Sequence, residues 1–397
     1  MRLRSRPLIY VFVAVSLYSF FLVYERRNII YPKQLADNHT NFRTITFESY
    51  GEDFCVAYNV VTSRNTFRED GLEPISLATH TTATYLKYVI EQVDTYDGPI
   101  SLAVYVDKST HQSITVLLSI HNCDAKISEK ISVHIVYRNS AFSNYCSNVK
   151  IDLIPCANLT KQSKTKYLNR LVPSFGIYPI NVIRNIARRG SQSYLQIIAD
   201  IEMIFSRNFA IEVKPIANKL ITATSKQLIV VRRFELDDKI KKVPRTVKEL
   251  KGLFDKKKVF EFHHKLFPLG HTIPGLFDWF RRSDKGPTSS WSIPYKGPAW
   301  EPQFIMHKDA PLSEELMPTR VRDHQALVYE LCRANYKFNI ISTHFNVHRG
   351  IKKTSTNLDT AVRAHQFRFR FESRKNFLRR IQMTYPDTYG SCRNFTM

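Results

Sequence analysis

The amino-acid sequence predicts an α/β fold with a mixed, mainly parallel sheet. Short apolar runs of strand type alternate along the chain with segments whose apolar residues recur at helical spacing, and this alternation is typical of parallel sheets. The 397 residues are 43% hydrophobic and 23% charged, which is a globular composition. No internal repeat and no clear linker divides the chain, so we predict one large domain that follows an apolar N-terminal segment.

The predicted strands are short runs rich in β-branched and aromatic residues. In chain order they are residues 56–62, 74–79, 100–107, 131–137, 194–205, 228–232 and 337–343. Apolar residues three or four positions apart predict helices at residues 81–93, 180–189 and 323–336. Turn and loop residues separate these elements, and the longest loop, rich in Gly, Pro and Ser, spans residues 283–302.

The N-terminal segment, residues 8–24, contains no charged side chain, and three arginines precede it. Its length is at the low end for a membrane-spanning helix, the basic flank favours a cytoplasmic N-terminus, and no small-residue cleavage site follows. We therefore predict a cytoplasmic tail (1–7), a signal-anchor transmembrane helix (8–24), a stem (25–50) and a lumenal domain (51–397). A buried core helix is the alternative for the apolar segment.

The charge of the chain is strongly basic, with a formal net charge of +23 and a pI near 9.7. Such a charge is typical of proteins that bind nucleic acid, anionic lipid or an acidic polymer. The predicted lumenal topology argues against nucleic acid as a partner. We expect the positive charge to act on something in the secretory lumen, such as an acidic glycan.

Two further features agree with a lumenal domain. Sequons for N-glycosylation occur at Asn38, Asn158 and Asn394, although such triplets also arise by chance. The six cysteines permit up to three disulfides in an oxidising compartment, and no C-x-x-C pair indicates a zinc site. We expect at least one bridge among the three that lie close in sequence, which are Cys123, Cys146 and Cys156.

The clearest candidate site is the strand of residues 194–205, which carries Asp200 and Glu202 towards its end. Side chains alternate along a strand, so both carboxylates are expected on one face at the carboxyl end, where open α/β sheets bind ligands. Two carboxylates there predict a site for Mg²⁺ or Mn²⁺ and, with the metal, a diphosphate. The alternative is a strand that runs into a solvated turn.

Other polar residues have two interpretations each. His348 is either a third metal ligand or a surface histidine. Asp107 either lines the same crevice or caps a turn, and Asp323 is either the N-cap of the helix that follows or a general base. Arg184 either binds phosphate or lies on a solvated face. The sequence contains no P-loop, G-x-G-x-x-G, G-x-S-x-G or H-E-x-x-H motif, so it gives no support to the corresponding chemistries.

Several segments, taken together and in order, resemble glycosyltransferase family 49 over roughly residues 75–353. They are YDGPISLAVY (96–105), INVIRNIA (180–187), IIADIE (197–202), FHH (262–264) with GH (270–271), WEPQF (300–304) and FNVHRG (345–350). There are two departures. Glu202 stands where the family has a second aspartate, and residues 273–276 replace a Thr-Asn-Tyr segment of the family.

The resemblance implies a GT-A-type nucleotide-sugar-binding fold in a type II Golgi membrane enzyme. It also implies Mn²⁺-dependent, inverting transfer of a sugar from a UDP-sugar to a glycan or glycoprotein acceptor. The sugar is expected to be of the glucuronate or N-acetylglucosamine class. Basic residues near the crevice would favour an acidic acceptor. The alternative is a catalytically weakened or inactive lumenal glycan-binding protein that retains the fold.

Carried over by position, the resemblance assigns roles to individual residues. The metal ligands are Asp200, Glu202 and His348. Four residues are assigned to donor binding, namely Thr79, Arg184, Asn185 and Asp200. The candidates for the general base that takes the proton of the acceptor hydroxyl are Asp323 and Glu301.

Overall fold

A computed structural model describes residues 42–140, 143, 145–174, 176–284 and 286–396. The strands are β1 (Phe42–Ile45), β2 (Glu48–Tyr50), β3 (Phe54–Val61), β4 (Ile75–Thr82), β5 (Ile100–Val106), β6 (Ile131–Arg138), β7 (Val149–Asp152), β8 (Leu195–Asp200), β9 (Ile204–Phe205), β10 (Gln227–Leu236), β11 (Val259–Glu261), β12 (Ser290–Ile293), β13 (Gln303–His307) and β14 (Lys337–Arg349).

The α-helices lie between and after these strands. They are α1 (Tyr88–Thr95), α2 (Gln112–Cys123), α3 (Ala125–Lys130), α4 (Lys161–Asn169), α5 (Ile180–Gly190), α6 (Phe209–Leu220), α7 (Val247–Asp255), α8 (Pro268–His271), α9 (Leu276–Asp284), α10 (Asp323–Arg333), α11 (Asn357–Phe367) and α12 (Arg370–Thr384). Short 3₁₀ turns occur at Ala83–Tyr85, Cys156–Asn158 and Pro386–Thr388.

One large mixed sheet organises the fold, with the strand order β12-β14-β10-β13-β8-β4-β5-β6-β3-β2. Its centre is parallel, because β8, β4, β5 and β6 pair in that orientation. The predicted mixed α/β architecture is confirmed, but fewer of the strands pair in parallel than predicted. Strand β13 inserts antiparallel between β8 and β10, and antiparallel strands also flank both ends.

The parallel centre is covered on both faces, which explains its continuous apolar sequence. Every residue of β5 is buried. Helix α5 packs on β4 and β5 through the apolar stripe that its helical spacing predicts, Val182, Ile183, Ile186 and Ala187. A second core forms around β10 and β14, into which α7, α9 and α10 pack.

The helix predicted over residues 81–93 is only partly correct. Strand β4 continues through Thr82, a 3₁₀ turn follows, and α1 begins only at Tyr88. The β-branched residues Thr79, Thr81 and Thr82 favour the extended conformation and extend the strand into the predicted helix.

Three disulfides join Cys55 to Cys146, Cys123 to Cys156 and Cys332 to Cys392. The expected local bridge is therefore confirmed as Cys123–Cys156. Strands β1 and β2 lie inside the segment predicted as stem and pair with β7 and β3. Within the described ranges no helix is long and apolar enough to cross a membrane. The predicted anchor, residues 8–24, lies outside those ranges.

Candidate functional site

The candidate site forms where four strands of the same direction end. Strands β4 and β8 are parallel, and β10 shares their direction because β13 runs antiparallel to both β8 and β10. Strand β14 is parallel to β10. The carboxyl ends of β4, β8, β10 and β14 therefore lie along one edge of the sheet, the edge at which open α/β sheets bind ligands.

Asp200 is the last residue of β8, and a turn rather than a continued strand leads to Glu202. The Met203 N–H donates to the Asp200 carbonyl across this turn at 3.1 Å. The prediction that strand alternation places both acids on one face is therefore wrong in its geometry. The turn nevertheless leaves both carboxylates within the electrostatic influence of His348.

The Asp200 carboxylate lies beside His80 and interacts with two positively charged arginines. Burial alone would raise the pKa of Asp200, but His80, Arg184 and Arg233 together hold it below its ordinary value. The Nε2 atom of His80 is 3.7 Å from Asp200 Oδ1. Asp200 is thus ionised at neutral pH, as a ligand for a cation must be.

Glu202 and His348 face one another on the other flank of the crevice. Glu202 Oε1 is 3.8 Å from His348 Nε2, and His348 Nδ1 lies 3.3 Å from the Gly350 carbonyl oxygen. Burial alone would lower the pKa of His348, but the Glu202 carboxylate raises it above its ordinary value. The prediction that His348 joins Asp200 and Glu202 from far along the chain is consistent with the fold, in which β14 extends through His348.

Arg233, on β10, connects the Asp200 side of the crevice to a third carboxyl group. Its Nη2 atom donates to His271 Nδ1 and to the Glu301 carbonyl, each at 2.7 Å. His271 Nε2 lies 3.4 Å from Glu301 Oε2. Burial lowers the pKa of His271, so the ring is neutral. Because Nδ1 accepts from Arg233, the ring proton resides on Nε2 and points towards Glu301.

Glu301 differs from the other acids of the crevice in its protonation. Burial, followed by the nearby Asp323 carboxylate, raises the pKa of Glu301 to about 7, against the opposing charges of Arg233 and Arg184. A carboxyl group with a pKa near the working pH is suited to accept a proton. Of the two predicted bases, Glu301 is the one whose environment fits the role.

Asp323 is held in ion pairs and hydrogen bonds instead. It is the first residue of α10, whose N-cap is Arg322, so the predicted N-cap role is wrong. Its Oδ2 accepts from the Arg320 backbone N–H at 2.8 Å, and its Oδ1 lies 3.3 Å from Arg184 Nη1. This carboxylate fixes a loop and an arginine. Asp107 likewise caps a turn, since its Oδ1 accepts from the Ser109 N–H at 2.9 Å.

The residues predicted to bind the donor have three different surroundings. Arg184 lies at the crevice and acts on Asp200 and Glu301. Asn185 is buried, and its amide donates to the Ser313 carbonyl and the Glu315 carboxylate, which uses both amide protons within the protein. Thr79 is buried one residue before His80, and strand alternation places it on the opposite face of the sheet.

The sequence segments 262–264 and 270–271 come together in the crevice wall. The rings of His263 and His271 are 4.9 Å apart, and the Phe262 ring is 5.7 Å from that of His348. The Arg233 guanidinium lies 4.6 Å above the Phe262 ring. These segments of the family resemblance therefore lie together around Arg233 and His348.

Sequence reasoning missed His80 and Arg233. His80 sits in a threonine-rich run that reads as a strand or helix, and Arg233 is one of two adjacent arginines in a basic stretch. Neither has a local signal. Both reach the site through the pairing of distant strands, His80 beside Asp200 on β8 and Arg233 beside Asn346 on β14.

Comparison with known proteins shows the family of this chain. The family model described as a glycosyl-transferase for dystroglycan matches residues 74–386. This match covers most of the chain and confirms the resemblance seen in the sequence. The chain therefore belongs to this glycosyltransferase family.

Individual relatives of the chain are also named as glycosyltransferases. The chain is 24% identical over 347 residues to beta-1,4-glucuronyltransferase 1 of Danio rerio, covering 83% of this chain and 79% of that protein. It is also 24% identical over 295 residues to the Homo sapiens protein of that name, covering 70% and 68%. Identity to the xylosyl- and glucuronyltransferase LARGE2s of Gallus gallus is 20% over 256 residues, or 63% of this chain and 28% of that larger protein.

Among solved structures, the chain is similar to GalNAc-T7, crystallised with UDP, GalNAc and Mn²⁺. The sequence identity is 10%, the TM-score is 0.40, and the match covers 75% of this chain and 48% of that one. A TM-score this low does not establish a shared fold.

Proposed function

We propose that this chain is a Mn²⁺-dependent, inverting glycosyltransferase that transfers a sugar of the glucuronate or N-acetylglucosamine class from a UDP-sugar to a glycan acceptor. The observation that carries the proposal is the different protonation of two carboxyl groups in one crevice. Asp200 is kept ionised, whereas the pKa of Glu301 is raised to about 7. Such a pair provides one anionic ligand and one proton acceptor.

The residues fit a Mn²⁺ ion in their chemistry. In the described ranges no group of three or more His, Cys, Asp or Glu side chains is already gathered as a metal site. Asp200, Glu202 and His348 nevertheless supply two carboxylates and an imidazole, which suit Mn²⁺. Beside Asp200, the buried Nε2 of His80 has no hydrogen-bond partner in the described part of the chain. Buried polar atoms usually have a partner, so this nitrogen is available to a bound ligand.

The chemistry that Mn²⁺ supplies when bound is neutralisation of the charge on the leaving diphosphate. Arg184 and Arg233 add fixed positive charge on the same side. Glu301 takes the proton of the acceptor hydroxyl as the acceptor oxygen bonds to the anomeric carbon and the bond to UDP breaks. His271 and Arg233 hold Glu301 in position for this transfer.

The Golgi location, the type II topology and the GT-A-type fold belong to the same proposal. The uncharged segment 8–24 with its basic flank supports the topology. The disulfides support an oxidising compartment. The relatives named as glucuronyltransferases support a UDP-sugar donor and a glycan acceptor.

The alternative, an inactive glycan-binding protein that keeps the fold, is not favoured. Its main support is Glu202 in place of aspartate, but Glu202 still presents its carboxylate to His348. The ionised Asp200, the proton-accepting Glu301 and the similarity to relatives named as glucuronyltransferases favour an enzyme.

The test is UDP release from the full-length protein in detergent with a panel of UDP-sugars, including UDP-glucuronate and UDP-N-acetylglucosamine. We expect release with at least one donor in Mn²⁺, its loss on chelation, and its loss in Asp200→Ala. An exposed substitution, Asp94→Ala, is the control. Equal release by wild type and Asp200→Ala would overturn the proposal.

A further inference from the structure

Arg322 occupies an unusual backbone conformation in the loop that leads into α10. Its φ is +59°, and Arg320, two residues earlier, has a φ of +66°. Residues other than glycine seldom adopt this left-handed conformation, and it persists only where the surrounding contacts fix it. Arginine gains nothing from it locally, because its side chain cannot cap the turn as asparagine can.

The loop that contains Arg322 is fixed by its neighbours. The Arg320 backbone N–H donates to Asp323 at 2.8 Å, and the Arg320 guanidinium pairs with Asp359 at 2.9 Å. The Asp323 carbonyl accepts from Asn181 at 2.9 Å. These contacts hold Arg322 in place without using its own side chain.

The Arg322 guanidinium is half-buried and, within the described ranges, has no hydrogen bond or ion pair. The other arginines of the crevice are engaged, Arg184 with Asp323 and Arg233 with His271. The charged groups that act on Arg322 are Glu301 and Arg363. Arg363, on α11, is exposed and also lacks a partner among the described residues. Arg322 thus acts on Glu301, and Arg363 lies one helical turn after Asp359, which pairs with Arg320 of the same loop.

Arg322 directly precedes Asp323, whose Oδ1 lies 3.3 Å from Arg184 Nη1, so its loop borders the crevice. Arg322 interacts with Glu301, whereas the groups that act most on Asp200 are His80, Arg184, Arg233 and His348. A planar guanidinium with free donors matches a carboxylate in two parallel hydrogen bonds.

We propose that Arg322, with Arg363 beside it, forms a subsite that binds the carboxylate of an acidic sugar in the acceptor. The inference rests on the proposed function in one respect, because it takes Glu301 as the group that faces the acceptor. It goes further by assigning an acidic acceptor to particular residues.

The experiment measures binding of methyl β-D-glucuronide and methyl β-D-glucoside to the full-length protein by ligand-observed NMR. The two probes differ in the carboxylate. We expect the glucuronide to bind and the glucoside to bind at least tenfold more weakly. Arg322→Gln should weaken glucuronide binding about tenfold or more, Arg363→Gln should weaken it less, and Arg322→Lys should retain part of the affinity because it keeps the charge without the planar fork.

The control removes an equal charge elsewhere. Arg170→Gln changes an exposed arginine at the end of α4 and should leave glucuronide affinity unchanged. Unchanged thermal midpoints show that the variants fold, and Arg322→Lys keeps the test informative if Arg322→Gln does not fold. Equal affinity for the two probes, or equal losses in Arg322→Gln and Arg170→Gln, would overturn the subsite.

A second arm distinguishes the acceptor from the donor as the source of the carboxylate. Glucuronide binding is repeated with saturating UDP-glucose and Mn²⁺. Persistence of binding supports an acceptor subsite, whereas displacement assigns the arginines to the donor and overturns the proposal. Failure of UDP release from every donor would contradict the proposed transfer alone, since arginine-dependent glucuronide binding is measured without turnover.

Discussion

His80 and Asp200 lie side by side in register on the parallel strands β4 and β8, with His80 Nε2 3.7 Å from Asp200 Oδ1. His80 Nδ1 is 2.9 Å from the Tyr178 hydroxyl. Burial lowers the pKa of His80 to about 4, so the ring is neutral at pH 7 and this contact is not an ion pair there. Among the described residues His80 Nε2 has no hydrogen-bond partner, so under the proposed function it would help to orient the Asp200 carboxylate.

The first prediction follows from that pair. His80→Ala should raise the Mn²⁺ concentration needed for half-maximal UDP release by about 10- to 100-fold, the usual effect of removing a group that orients a metal ligand. The measurement is UDP release over a Mn²⁺ titration. His111→Ala, which removes an exposed histidine, is the control. An unchanged Mn²⁺ requirement in His80→Ala would show that His80 has no part in metal binding.

The second prediction concerns activity and pH. If Glu301 is the base, wild-type activity should rise with pH until about pH 7, where Glu301 loses its proton. Glu301→Gln should lower kcat about 100-fold or more and abolish that rise. The measurement is the pH profile of initial rates in both proteins. A variant that keeps the wild-type profile would rule out Glu301 as the base, and Asp323→Asn tests the other candidate in the same way.

The third prediction concerns stability, which should fall over the pH range in which activity rises. The pKa of Glu301 in the folded state, about 7, exceeds the ordinary value of 4.5. The folded state therefore holds this proton more tightly than the unfolded state, and stability falls as pH rises from 4.5 to 7. Glu301→Gln removes the titrating proton and therefore this pH-dependent loss of stability. By chemical denaturation it should be more stable than wild type at pH 8, by up to roughly 3 kcal/mol, and the gain should vanish near pH 4. A pH-independent difference would contradict this origin.

The fourth prediction tests whether Glu202 can replace an aspartate. Glu202 Oε1 lies 3.8 Å from His348 Nε2. Glu202→Gln keeps the length but removes the charge, so Mn²⁺-dependent activity should fall about 100-fold or more. Glu202→Asp keeps the charge and should stay within about tenfold of wild type, since the turn after β8 can shift slightly. Equal activity in both variants would mean that the negative charge at residue 202 is not used in metal binding.

The sequence predicted those parts of the site that have a local signature. The apolar run before Asp200 specifies a buried strand by itself, and the motif around His348 is continuous in sequence. His80 and Arg233 could not be found in this way, because they contribute only after distant strands pair. The geometry of Glu202 also depends on tertiary structure, since periodicity predicts a longer strand where the chain turns at Asp200.

Roles were harder to predict than positions. Asn185 belongs to a segment of the family resemblance and Asp323 begins a predicted helix. In the fold, Asn185 donates to the Ser313 carbonyl and Asp323 accepts from the Arg320 N–H of the preceding loop. A polar side chain can bind a ligand only if its hydrogen-bonding groups are not already used within the folded protein. Those hydrogen bonds cannot be read from a sequence pattern. Glu301 shows the same dependence, because its raised pKa comes from burial and from Asp323.

The last prediction tests how α5 is held behind the site. A Cβ atom on Gly190, at the end of α5, would lie 2.2 to 2.5 Å from ring atoms of His134. That ring cannot move away easily, because Nδ1 accepts from the Asn59 N–H at 2.9 Å and Nε2 is 2.8 Å from Ser101 Oγ. Gly190→Ala should therefore lower the free energy of unfolding by about 1–3 kcal/mol. Arg184 lies on the same helix, so the KM for the donor should rise as well.

Gly252 provides the matched control for this glycine. It lies inside α7, and a Cβ atom there would meet nothing within 4 Å. Gly252→Ala should raise the free energy of unfolding by about 0.5–1 kcal/mol, because alanine loses less backbone entropy in a helix. It should leave the donor KM unchanged. The measurements are denaturation curves and donor kinetics of Gly190→Ala and Gly252→Ala. If the two variants change the free energy of unfolding and the donor KM in the same way, the close approach of α5 to His134 does not constrain the helix that carries Arg184.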